Sequence, residues 1–248
     1  MQQLKGHTLT QFILDVLGRG IVLGSYDART FPTEAELAKQ YGVSRSVIRE
    51  AVKMLTSKGL LSSRPRKGTA ITARASWNLL DTEVLRWLLE QKPSVVLLRQ
   101  LNEVRAAIEP EAAALAASRL DHEEYEIVAS IRKNIELSEG HCREAHDAIV
   151  LFHITILKAC KNQFFVQFEY LIEAALRCSF QIDGSVVLSS RSVAAYSAIQ
   201  RAMLARQPAK AREVMRKIIS QTMSRQRVRD RGKIQNNRQC DDLRSSLR

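Results

Sequence analysis

From Leu9 to about Leu23 apolar residues recur every three to four positions, at Leu9, Phe12, Ile13, Val16, Leu17 and Ile21. That spacing predicts an amphipathic helix, ended by Gly24. After a short irregular stretch, Pro32-Thr33-Glu34-Ala35-Glu36 reads as a second helix start, with Thr33 as N-cap and Glu36 as its capping-box partner. This helix runs to Gln40 and stops near Gly42. Ser44 caps a third helix, which continues to about Lys58 and is stopped by Gly59. Leu60–Ser63 and Thr69–Thr72 are short extended runs around the basic turn Arg64–Gly68, the pattern of a β-hairpin.

Beyond Ala75 the periodicity is helical throughout. It predicts helices over Leu79–Leu89, Val95–Leu120, Tyr125–Leu137, Ala145–Cys160, Phe164–Ser179, Val193–Ala205 and Ala209–Met223. Breaks fall at Pro93, near His122, at Gly140, at Lys161-Asn162, across Asp183-Gly184-Ser185 and at Gln207-Pro208. The tail from Arg225 alternates basic and polar residues with almost no apolar content and is expected to be frayed. The fold class predicted is mainly α.

Charge divides the 248-residue chain. Of 38 Lys plus Arg and 26 Asp plus Glu, residues 1–74 carry a net +7, residues 75–223 are neutral, and residues 224–248 carry +5. A neutral body between basic ends is the layout of a nucleic-acid-binding head on a partner- or ligand-binding domain. No run approaches the roughly 18 apolar residues of a membrane span. Asp15 and Arg19 interrupt what would be a signal-peptide core, so a cytoplasmic protein without membrane contact is expected. The four cysteines form no CxxC pair. No triad, paired-carboxylate site or phosphate loop is apparent, so the expectation is not an enzyme.

Two helices joined by a Gly-containing turn and followed by a basic hairpin outline a winged helix-turn-helix. In the third helix Val43, Ile48, Ala51, Val52 and Leu55 share the inward face. Arg45, Arg49 and Lys53 are four apart and form a cationic stripe on the other side. A guanidinium on such a stripe can pair with the two acceptors of guanine in a major groove. Ser44, Ser46 and Lys53 suit phosphates, which fix register without reading sequence. Arg64–Lys67 holds three cations, and Gly68 lets the backbone approach a phosphate or the minor groove.

On these residues the segment FPTEAELAKQYGVSRSVIREAVKMLTSKGLLSSRPRKGTAIT resembles the DNA-binding domain of the GntR family of bacterial transcription regulators. Its marks are Val43-Ser44-Arg45, Arg49-Glu50, Leu55, Gly59-Leu60 and Gly68-Thr69. The resemblance implies DNA contacts from Thr33, Ser44, Arg45, Ser46, Arg49 and Lys53, and from Arg66, Lys67 and Gly68 in the wing. NEVRAAIEPEAAALAA, FHITILKACKNQFF and AIQRAMLARQPAKAREVMRKII resemble the all-helical ligand domain of the FadR-type (FCD) branch. WNLLDTEVLRWLLE is similar to a sugar-acid operon repressor of that branch. The implied organisation is a winged helix-turn-helix over 8–74, a linker helix over 75–92, a helical effector-binding and dimerisation domain over 93–223, and a basic flexible tail over 224–248.

Many members of the branch hold a divalent metal with one Asp and three His. Here His153 matches the first histidine, but Ile149, Tyr196 and Ile218 stand at the aspartate and the other two histidine positions. Asp147 points away from His153, and His146 stands about 10.5 Å along the helix axis. No metal or other cofactor is therefore expected. An anionic effector would need another cation: Arg105 with Glu109 one turn on, or Arg177, with Tyr196 as a hydrogen-bonding neighbour. Arg105 and Glu109 could equally be an i,i+4 salt bridge, and Arg177 a helix cap. His153 reads as a hydrogen-bonded pocket or core histidine.

The resemblance implies a homodimeric regulator, most simply a repressor. It would bind a palindromic double-stranded operator and be released by a small carboxylate such as a sugar acid. The alternative is a ligand-unresponsive DNA-binding protein with a degenerate effector pocket.

Overall fold

The computed structural model describes residues 9–26, 31–64, 68–90, 94–138, 142–183 and 190–224. The chain divides into two compact units, residues 1–92 and 93–248.

The first unit is built from α1 (Leu9–Val22), α2 (Glu34–Tyr41), α3 (Arg45–Ser57), the antiparallel pair β1 (Leu61–Arg64) and β2 (Gly68–Ile71), and α4 (Thr82–Glu90). Ile13, Leu14, Leu17 and Ile21 of α1 form its core with Leu37, Ile48, Ala51, Leu55 and Leu60. Both caps read from the sequence are made. Thr33 Oγ1 accepts from Glu36 N while the Glu36 carboxylate accepts from Thr33 N, and Ser44 Oγ accepts from Val47 N. Gly59 stands at φ +79°, and a Cβ there would strike the Ser76 carbonyl, so only glycine fits this turn between α3 and β1.

The stretch 75–92, expected as a linker helix, is part of this unit. Its helix starts at Thr82 rather than Leu79, because Asp81 Oδ1 accepts from the amides of Glu83 (3.0 Å) and Val84 (3.2 Å) and so caps α4. Val84, Leu85, Trp87 and Leu88 are then buried. The Trp87 ring lies against Gly18, where a Cβ would collide with it. Its indole N–H donates to Asp15 Oδ1 at 2.8 Å. Arg86 also pairs with Asp15, and Arg19 joins Asp15 (2.9 Å) to Glu90 (3.0 Å). Burial opposes the Asp15 charge, but Trp87 and Arg86 outweigh it and hold the carboxyl below its ordinary value. Lys58, at the end of α3, reaches Asp81 and Glu83 at 2.7 Å each.

The second unit is helical: α5 (Val95–Arg119), α6 (His122–Leu137), α7 (Cys142–Ala159), α8 (Gln163–Val166), α9 (Glu169–Asp183), α10 (Ser190–Leu204) and α11 (208–224). α7 is central, packed on α5, α6 and α9. Ala112, Ala113, Ala116 and Ala117 let α5 approach its neighbours, and Ile149, Phe152, Ile156, Ile199, Met215 and Ile219 fill the core. Asp121 and Glu124 form a capping box that starts α6. The helix expected over Phe164–Ser179 is two. Asn162 Oδ1 caps the single turn α8, Phe168 N bonds back to Phe165 O, and the chain restarts as α9, which continues to Asp183. The expected frayed tail lies outside the described residues.

Candidate functional site

The head presents one outward helix face. Ser44, Arg45, Ser46, Arg49, Glu50 and Lys53 are exposed while Ile48, Ala51, Val52 and Leu55 are buried. The period that builds the core thus also aims the stripe. The cations are not equivalent. Arg49 Nε sits 3.2 Å from Glu34 Oε2, and Lys53 Nζ 2.8 Å from Glu50 Oε1. Arg45 forms no ion pair among the described residues. Ser44 and Ser46 join their hydroxyls at 2.8 Å at the helix start, and Thr33 is exposed at the start of α2. Gly68 opens β2 at φ +77° opposite Arg64, with open space where a side chain would be. Arg66 and Lys67 lie outside the described residues.

In the helical unit, three of the expected effector residues form a buried polar cluster. Arg105 is 1 % exposed, Glu109 2 % and His153 2 %. Arg105 Nε donates to Glu109 Oε1 at 2.5 Å, and its Nη1 donates to Asn102 Oδ1 at 3.1 Å. His153 Nδ1 lies 2.5 Å from Glu109 Oε2. Burial by itself pushes the Glu109 carboxyl up. The Arg105 guanidinium and the His153 imidazole outweigh burial and bring it down to about 2. Tyr196 is buried beside the cluster, its ring edge-on to Phe152 (centroids 5.1 Å) and to His153 (6.0 Å). Asn102, which completes the guanidinium's partners, went unnoticed in the sequence. Its signal was a polar residue three before Arg105 on the same face.

Arg177 does not join this cluster, contrary to expectation. Its side chain is half exposed on α9, paired with Glu173 at 2.8 Å and Asp147 at 3.1 Å. The reason is register: the buried side of α9 carries Ile172, Ala175 and Ser179, so Arg177 shares the outer stripe with Glu173. An open groove of about 570 Å³, lined by Asn134, Leu137, Glu144, Asp147 and Leu151 among others, includes none of the expected effector residues. His146 is also buried, with Nε2 3.1 Å from the Leu176 carbonyl and its ring stacked on Phe180.

The donor set does not fit a metal. Ile149 and Ile218 are buried apolar residues, and His153 offers a single nitrogen. Among the described residues no group of three His, Cys, Asp or Glu side chains is placed to hold an ion. Cys160 and Cys178 are buried thiols, and burial pushes Cys178 up to about 11. No helix among the described residues is long and apolar enough to cross a membrane.

Residues 9–71 match the family model described as bacterial regulatory proteins, gntR family, and residues 100–221 match that of the FCD domain. The galactonate operon transcriptional repressor of Escherichia coli (strain K12) is 32% identical over 69% of this chain and 76% of its own length. The HTH-type transcriptional regulator YieP of the same organism is 32% identical over 72% of this chain and 80% of its own. Among solved structures, Lar, described as controlling expression of the Listeria monocytogenes agr system, aligns with a TM-score of 0.59. It is 19% identical and covers 90% of this chain and 98% of that one, a likeness of fold alone.

Proposed function

The chain belongs to the GntR family of bacterial regulatory proteins and carries an FCD domain, and from that premise we propose that it is a ligand-responsive repressor. It is a DNA-binding transcription regulator. In the reading favoured here it binds a palindromic operator as a homodimer. The exposed face of α3, with Arg45 free to reach a base edge, carries this reading. Two copies would place two such helices on successive turns of one duplex face. The effector would enter the helical unit at the Arg105, Glu109, His153 and Tyr196 cluster without a metal. A small hydroxylated carboxylate such as a sugar acid is the favoured class. Arg177, already paired at the surface, is dropped from that set. Release requires that the effector bind one arrangement of the two heads better than the other.

The test is selection of duplexes from a random pool by the full-length protein, followed by anisotropy titration of the selected site with and without sugar acids. A palindromic consensus whose affinity falls tenfold or more with one acid supports the reading. A consensus indifferent to every acid favours a second reading, a DNA-binding protein with a degenerate pocket. The buried Ile149 and Ile218 speak for that alternative.

A further inference from the structure

Lys58 follows α3 as its C-cap and is a cation of the head that faces inward. Its side chain is 12 % exposed, and its ammonium lies 2.7 Å from both Asp81 Oδ2 and Glu83 Oε2. Each of those carboxylates is committed twice. Asp81 Oδ1 accepts from the Glu83 and Val84 amides and so starts α4, while Oδ2 holds Lys58. Glu83 Oε1 accepts from Gln11 Nε2 of α1 at 2.5 Å, while Oε2 holds Lys58. The Lys58 carbonyl accepts from the Asn78 amide at 2.9 Å. One lysine thus ties the end of α3 to α1 and to the start of α4.

Stability alone does not account for this arrangement. Drawing an ammonium and two carboxylates out of water costs desolvation, and apolar residues in place of such a cluster are often neutral or stabilising. What the ions add is a fixed geometry, and the place where they add it is the end of α3. Apolar anchoring within α3 stops at Leu55, and Thr56 and Ser57 are exposed. Arg45, which opens the helix, stands about 20 Å from Lys58 along the axis. A tilt of about 5° about the Lys58 end would displace the Arg45 end by roughly 2 Å. A base-edge hydrogen bond does not survive such a shift, whereas attraction between a long cationic side chain and phosphates does.

We propose that Lys58 is a positioning residue for operator selectivity. It holds α3 at the angle at which Arg45 and its neighbours meet base edges, and it does so without touching DNA. This role rests on the reading that the exposed face of α3 enters a sequence-specific site. α4 ends at Glu90, two residues before the helical unit begins at Pro93, so the element that continues toward that unit is also the one that holds α3. The supporting ions play the part of a second layer behind the side chains that read the site.

Two affinities of the full-length protein test it, each measured by anisotropy at several salt concentrations. One is for the duplex that wild type selects from a random pool, the other for a random-sequence duplex of the same length. Lys58→Met keeps the aliphatic stem and drops the charge. It should weaken binding to the selected duplex about tenfold and leave the random-sequence affinity within about twofold, with an unchanged salt slope. Lys58→Arg, which keeps the charge, should recover most of the selectivity. Glu83→Gln leaves Asp81 in place and should give an intermediate loss. It decides the matter where circular dichroism shows Lys58→Met to be unfolded, and wild-type selectivity in it would then overturn the proposal. Equal losses on both duplexes, with a slope lower by about one charge, would make Lys58 a phosphate contact and overturn the proposal. Undiminished selectivity in a folded Lys58→Met that merely melts earlier would overturn it as well, leaving a structural ion pair. A wild type that binds every duplex alike removes the operator reading and this role with it.

Discussion

Arg49 on α3 is held by Glu34 at the first turn of α2, Nε to Oε2 at 3.2 Å, so one of the cations facing outward is already engaged before any DNA arrives. The pair is exposed and worth about 0–1 kcal/mol. Glu34→Gln should therefore tighten binding to a random-sequence duplex only a few-fold, and should steepen the dependence of log K on log salt by about one charge. Anisotropy titrations at several salt concentrations measure both. An unchanged slope would mean that Glu34 does not restrain Arg49.

Arg45 has no such ion-pair restraint among the described residues. Arg45→Ala should cost about 1–3 kcal/mol on the selected site and relax base preference at one position per half-site. Repeating the selection with the variant shows whether one position, or none, loses its preference.

Two pairs of the same spacing show how much was legible beforehand. Arg105–Glu109 and Glu173–Arg177 are both i,i+4 ion pairs, yet the first is buried and the second half exposed. The stripe of Arg105 runs through Leu98, Leu101, Ala112 and Ala116, whereas that of Arg177 runs through Glu169 and Glu173. Reading along the stripe, instead of along the adjacent apolar residues of the sequence, separates them. The caps at Thr33 and Ser44 and the inward face of α3 were legible because each is decided within one or two turns. The Asp15–Trp87 bond was not, since it joins residues 72 apart and depends on how α4 folds back on α1.

Trp87→Ala should destabilise the N-terminal unit by about 3–5 kcal/mol, from the cavity and the lost bond to Asp15. Gly18→Ala should cost about 1–3 kcal/mol by forcing the indole aside. Denaturant titration of each variant gives the magnitudes. A Trp87→Ala loss below 1 kcal/mol would mean that α4 is not part of the cooperative unit.

Glu109 makes stability depend on acidity. Its carboxyl falls from 4.5 to about 2 on folding, so its contribution is fully present above about 4.5 and is lost as pH falls toward 2. The pair of values corresponds to about 3 kcal/mol at neutral pH. Glu109→Gln should flatten the stability profile between those two pH values in melting experiments across that range. A profile as steep as that of wild type would place the acid sensitivity elsewhere.

Removing residues 225–248, whose net charge is +5 once Ser224 is kept, should weaken binding to any duplex and lower the salt slope. The same slope with and without the tail would mean that it touches no phosphates.

The packing of Trp87 over Gly18 also decides where the head can be cut. A DNA-binding module trimmed at the end of the hairpin, near residue 74, would lose the indole that covers Gly18 and the acidic partners of Lys58 at the base of α3. Grafted onto a foreign body, the transplantable piece is residues 9–90, with α4 travelling as its floor.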